Sequence, residues 1–250
     1  MRKPGLVSIT FRNKTPLEIL SLMSRAKLEA VEWGGDVHVP VKGGKAKEVL
    51  KMTRDYGIAV SSYGSYYRLG QGTDAFRYAL EEAERLETDI IRVWAGTKGS
   101  RETAHDERKR LTEELLAIDE IASRSGIHPA LEYHPNTLTD ERESVKEIMN
   151  VLSDAGSGAK LYWQPRWDRS MQDRLESVSE LGGFLSHMHV FSWKHTESGI
   201  EKLELSRGGE MWKKILERYT EGYALIEFVR DDSDEMLLSD AETLRAWLKG

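Results

Sequence analysis

Cysteine is absent from the 250 residues. Disulfides, thiolate-bound zinc and a cysteine nucleophile are therefore excluded. No apolar run approaches the roughly 18 residues that span a bilayer. The stretch MRKPGLVSIT (1–10) has no long apolar core of a secretory signal, so a cytoplasmic protein is the expectation. Basic excess is missing too. Lys and Arg number 36 against 42 Asp and Glu, the net charge is −6, and no concentrated basic stripe stands out. Neither nucleic acid nor a membrane is expected as a partner. No Pro/Gly/Ser-rich linker divides the chain, so residues 1–250 read as one domain. The first strand–helix junction, SITFRNKTP (8–16), lacks the Gly-rich dinucleotide fingerprint, and there is no Walker motif.

What is present is an alternation. Short β-rich runs occur at 5–10, 28–33, 57–63, 89–94, 127–133, 159–164, 185–191 and 223–229, and helix-like segments separate them. Strands alternating with helices argue for βαβ units and a parallel sheet. About eight such units in a chain of this length fit a closed (β/α)8 TIM barrel, with a doubly wound open sheet as the alternative. TPLE (15–18) reads as a capping box, with Thr15 as N-cap, Pro16 at N1 and Glu18 at N3. TDER (139–142) reads as the start of another helix. Long helices are expected over 103–125 and about 233–248.

In a barrel the chemistry collects at the C-terminal strand ends. Those ends supply Glu32 and Trp33, then Trp94, then Glu132 and His134, then Trp163, Gln164, Arg166 and Trp167. The last two strands supply His187, His189 and Glu227. The loops add Arg12, His38 and Lys98. An ionisable group on a central strand is costly to bury unless it is paired, metal-bound or catalytic. Glu132, His189 and Glu227 suit a divalent cation, and Gln164 adds a neutral oxygen. Each residue also has a structural reading: a strand-end Glu can pair with a barrel Arg, and a lone His or Trp can be packing. Side chains alternate along a strand, so Glu132, His134, His187 and His189 should face the barrel interior, and Tyr133 and Met188 the helices. Trp33, Trp94, Trp163 and Trp167 are candidates to wall a pocket. Arg12, Lys98 and Arg166 are candidate anion contacts, with surface salt bridges as the competing reading.

At these residues the sequence resembles the xylose isomerase-like TIM-barrel superfamily of sugar-phosphate isomerases and epimerases. The segments SITFR, VEWGG, IRVWAGTKGS and LEYHPNTLTD are especially similar to bacterial 3-dehydroshikimate dehydratases. The resemblance implies one Mn, Mg or Co ion held by Glu132, Gln164, His189 and Glu227. Catalytic roles are expected for Glu132, Glu227 and His134, and substrate contacts from Trp33, His38, Trp94, Lys98, Arg166, Trp167 and His187. Gln164 stands where the family has an Asp, Trp167 where it has a His, and Phe191 where the dehydratases have a Lys. Weaker metal binding is expected. The implied activity is proton transfer through an enediolate on a sugar, sugar phosphate or polyol ketone. A dehydratase (lyase) and a metal-free barrel that binds a sugar or a partner protein are the alternatives. A monomer or homodimer is expected.

Overall fold

The computed structural model describes residues 2–197 and 199–249. Eight parallel strands close into a barrel: β1 (Lys3–Val7), β2 (Ala30–Gly34), β3 (Ala59–Arg68), β4 (Ile90–Trp94), β5 (His128–Glu132), β6 (Lys160–Trp163), β7 (Leu185–Val190) and β10 (Tyr223–Ile226). The ring runs in chain order and shuts where β1 pairs with β10, Leu6 opposite Ile226. Eight helices surround it: α1 (Pro16–Ala26), α2 (Ala46–Asp55), α3 (Thr73–Leu86), α4 (His105–Ser123), α5 (Arg142–Asp154), α6 (Met171–Leu181), α7 (Gly209–Arg218) and α8 (Asp234–Lys249). This is the single-domain TIM barrel that the alternation implies. No helix among the described residues is long and apolar enough to cross a membrane.

Local chemistry sets the helix ends. In α1 the Thr15 hydroxyl accepts from the Glu18 amide, and the Glu18 carboxylate accepts from the Thr15 amide at 2.7 Å. The capping box is present as expected. Helix α5 starts at Arg142, three residues later than the sequence suggests. Thr139 is diverted: its hydroxyl donates to the Glu132 carbonyl at 2.6 Å. A threonine that bonds neighbouring backbone in this way competes with helix formation.

Strand alternation builds two apolar layers. Val7, Ile9, Ile90, Ala130, Tyr162 and Leu225 fill the barrel interior. Residues of opposite parity, such as Val31, Trp33, Leu131, Trp163 and Met188, belong to the larger core, which also takes in the inner faces of the helices. One element was not anticipated. After β7 the chain forms a two-stranded antiparallel hairpin, β8 (Trp193–Thr196) with β9 (Gly199–Lys202), before reaching α7. Its Trp193 and Ile200 reach the wall of the barrel mouth.

Candidate active site

Three carboxylates and two basic groups meet on the barrel floor. Glu32 (β2), Arg92 (β4), Glu132 (β5) and His189 (β7) are all buried. The Arg92 guanidinium bridges two carboxylates. Its Nε donates to Glu32 Oε1 at 2.9 Å and its Nη1 to Glu132 Oε2 at 2.5 Å. Gly64 makes the room: a Cβ there would lie 2.5 Å from Glu32 Oε1 and 3.1 Å from Arg92 Nη2. Glu132 also accepts from the Trp94 indole and, at 3.0 Å, from the Gln164 amide nitrogen. His189 lies between carboxylates, with Nδ1 3.3 Å from Glu227 Oε2 and 3.6 Å from Glu132 Oε1, and Nε2 3.7 Å from Glu32 Oε2. Neither ring nitrogen makes an aligned hydrogen bond, so Coulomb attraction holds this contact.

Charge pairing outweighs desolvation here. Burial would raise Glu32, but Arg92 and His189 bring it down to about 2. Burial would likewise raise Glu132, and the same two cations hold it well below the usual carboxylate range. Burial would lower His189, but Glu227, Glu132 and Glu32 hold it protonated, well above its ordinary value. Tyr162 covers the imidazole at 4.8 Å between ring centroids. Its hydroxyl meets Ser62, which donates to Glu32 at 3.0 Å.

Above the floor lies a cavity of 390 Å³, with Arg92, Glu132, Gln164 and Glu227 at its polar end. Trp94, Phe191, Trp193 and Phe228 supply aromatic walls, and His134 stands on the rim. The loop after β5 fixes His134. Asn136 takes a left-handed backbone (φ 59°), and the Thr137 hydroxyl donates to the His134 carbonyl at 2.7 Å. His134 Nδ1 lies 2.7 Å from the Pro135 carbonyl oxygen. A carbonyl only accepts, so Nδ1 carries the proton, and in the neutral ring Nε2 is an open acceptor. Phe228, next to Glu227, also has a left-handed backbone (φ 57°), a costly conformation for a bulky residue.

A model of the xylose isomerase-like TIM barrel matches residues 20–248. The chain belongs to that family. A 3-dehydroshikimate dehydratase of Bacillus anthracis is 26% identical over 147 residues, 56% of this chain and 52% of the relative. The match thus spans about half the length of that curated relative. Among solved structures, a probable 3-DHS dehydratase involved in petrobactin synthesis in Bacillus anthracis superposes with a TM-score of 0.81 at 18% identity, covering 98% of this chain and 99% of its own. A 3-keto-D-glucoside 4-epimerase from E. coli gives 0.73 at 16%, covering 100% and 99%. A D-allulose 3-epimerase from Methylomonas sp. gives 0.73 at 12%, covering 99% and 98%. At such identities the superpositions establish the fold.

Against the ligand set that membership in the xylose isomerase-like family implies, the four residues do converge, because Glu132 touches Gln164 and His189 faces Glu132 and Glu227. Yet among the described residues no group of three or more His, Asp or Glu side chains is arranged to hold a metal ion. The donor chemistry gives the reason. Both Glu132 oxygens already accept from Arg92, Trp94 and Gln164. Gln164 presents its amide nitrogen, and the Arg92 guanidinium brings positive charge to the carboxylate a cation would need. As arranged, these residues do not fit a divalent ion.

Of the other expected contacts, Trp94, Arg166 and Trp167 line the cavity. Arg166 is paired with Asp168 at 2.8 and 2.6 Å, so its charge is committed. Five of the candidate residues lie away from the cavity lining. Trp33 has the opposite parity to Glu32 and packs outward, its indole donating to Thr53 at 3.1 Å. His38 is buried between the Ser8 hydroxyl and the Lys14 carbonyl, where it ties two loops together. Lys98 pairs with Glu107 away from the cavity. His187 does point inward, but it sits one layer below His189, against the Ser61 carbonyl at 2.9 Å. Trp163 is not a pocket wall either: it packs outward, donating to Ser177 of α6 at 3.0 Å. Tyr133 and Met188 face the outer layer as expected. Sequence reasoning missed Arg92, the hub of the network. The signal was available: Arg92 has inward parity on a strand otherwise made of Ile, Val and Trp.

Proposed function

We propose that this barrel is an enzyme that removes and returns a proton on the carbon beside a carbonyl, isomerising or epimerising a small hydroxylated ketone. One observation carries the reading. Glu227 is a buried carboxylate at the polar end of the cavity, and among the described residues His189 is its only ion-pair partner within 4 Å. Glu132 is a poor base, because three donors and two cations hold it ionised. Glu227 takes the proton. Arg92 and Gln164, which line the polar end of the cavity, would supply N–H donors to the oxygen on which enolate charge builds. His134, which lines the same cavity with an open Nε2, takes or relays a proton at a substrate oxygen. Return to the neighbouring carbon isomerises; return to the opposite face epimerises. No step runs through a metal.

The similarity to a 3-dehydroshikimate dehydratase supports a second outcome of the same first step. There His134, after its Nε2 has taken a proton from water, would give that proton to the departing β-hydroxyl, which leaves as water, while Glu227 holds the proton taken from carbon. Proton NMR in D2O tests both readings. Ketoses, inososes and 3-dehydroshikimate are incubated with enzyme, and deuterium at the carbon beside the carbonyl is measured together with product identity. Exchange lost in Glu227→Gln supports the reading. No exchange with any of these ketones, or undiminished exchange in the variant, rejects it in favour of a barrel that only binds.

A further inference from the structure

A second cavity, of 270 Å³, lies behind the hairpin, between α6 and α7. It shares a wall with the barrel mouth, since Pro165, Trp167, Phe191 and Trp193 line both. Its charge balance differs from that of the mouth. In the mouth, Arg12 is paired with Asp36, Arg92 with Glu32 and Glu132, and Arg166 with Asp168. The second cavity is lined by Arg174 and Arg207, and neither pairs with a carboxylate among the described residues. Arg174 donates to the Arg166 and Trp167 carbonyls at 2.8 and 3.2 Å and to the Met211 sulfur at 3.4 Å. Those acceptors hold the guanidinium in place without neutralising it. The carboxylate on this wall, Glu210, is engaged by Lys214 at 3.1 Å. The Trp193 indole nitrogen is buried with no acceptor among the described residues.

One fixed guanidinium, Arg174, a second and exposed one, Arg207, and walls of Met211, Leu203 and indole ask for a ligand with a negative end on an apolar stem. We propose that this cavity is an anion subsite that holds the carboxylate or phosphate end of a substrate whose reacting ketone lies in the barrel mouth. The anion site stands on its own geometry; its link to the reacting ketone rests on the proton-transfer reading. A guanidinium that is partly desolvated and lacks a counter-ion gains by pairing with such a group, and burial already lowers Arg174 from its ordinary value.

The test is a titration of the intact protein followed by tryptophan fluorescence, because Trp167 and Trp193 line the site. The probes are inorganic phosphate and phenylacetate, a carboxylate on an apolar stem. Saturable binding of phosphate identifies a phosphate end; binding of phenylacetate identifies a carboxylate end. Arg207→Gln, at an exposed position, should weaken binding about threefold, and adding Arg174→Gln should weaken it at least about tenfold, as expected for losing charge-assisted hydrogen bonds. Circular dichroism confirms that each variant is folded. Glu227→Gln should bind both probes within roughly twofold of wild type, so the subsite and the proton-transfer reading can fail separately. No saturation with either probe up to about 50 mM, or wild-type binding in a folded double arginine variant, overturns the subsite.

Discussion

Replacing Arg92 with methionine keeps an unbranched chain and deletes the guanidinium that bridges Glu32 and Glu132. Both carboxylates are buried, so the loss strands negative charge out of reach of water. Breaking a buried pair by removing one partner costs about 3–5 kcal/mol. At about 2–4 °C per kcal/mol for a domain of this size, the melting temperature should fall by about 6–20 °C. The pH dependence carries the sharper test. In the wild type, Glu32 is depressed from 4.5 to about 2, and Glu132 is depressed as well. Their stabilisation is present above the unfolded value and is lost as pH falls through the folded one. Without Arg92, burial dominates and the folded values rise above 4.5. The sign then reverses: both groups destabilise near neutrality, and the penalty shrinks as acid protonates them. Thermal unfolding followed by circular dichroism at pH 7.5 and pH 5 should therefore show a smaller wild-type–variant gap at pH 5. A gap that is equal at both pH values, or a loss below about 1 kcal/mol, would refute the counter-ion role of Arg92.

Glu227→Gln should slow deuterium exchange about 10²–10⁴-fold, because a general base is lost and a similar shape retained; NMR exchange rates check the loss, and circular dichroism checks that the variant is folded. Gln164→Asp replaces an amide that donates to Glu132 with a carboxylate, so calorimetric titration should show Mn²⁺ binding tighter than in the wild type, whose affinity should be about millimolar or weaker. Thr139→Val should cost about 1–3 kcal/mol in urea unfolding, because it leaves the buried Glu132 carbonyl without its side-chain donor.

The candidate site residues were legible to different degrees, for physical reasons. Glu132, Gln164, His189 and Glu227 stand at barrel strand ends with one parity, and sequence position was enough to bring them together. His187 passes the same parity test, yet it faces the Ser61 carbonyl, because parity gives the side of a strand and not the depth along it. Trp33 and Trp163 sit one residue away from inward positions and therefore point at helices. Lys98 and His38 lie in loops, where no periodicity constrains direction. The hairpin Trp193–Lys202 was missed because its strands are only four residues each, with polar residues between Trp193 and Ile200.

By itself the sequence determined the barrel. Eight β-rich runs alternating with capped, amphipathic helices leave few closed arrangements, since parallel neighbours need helical crossovers and each buried strand needs cover on its outer face. It also determined which ionisable residues collect at the strand ends. Tertiary structure decided what those residues do to one another. Arg92 lies far along the chain from both Glu32 and Glu132, and only barrel closure puts its guanidinium between them. That contact commits Glu132 as an ion and leaves Glu227 as the carboxylate available for chemistry. Charge interactions depend on distance and burial, and neither exists in a linear sequence.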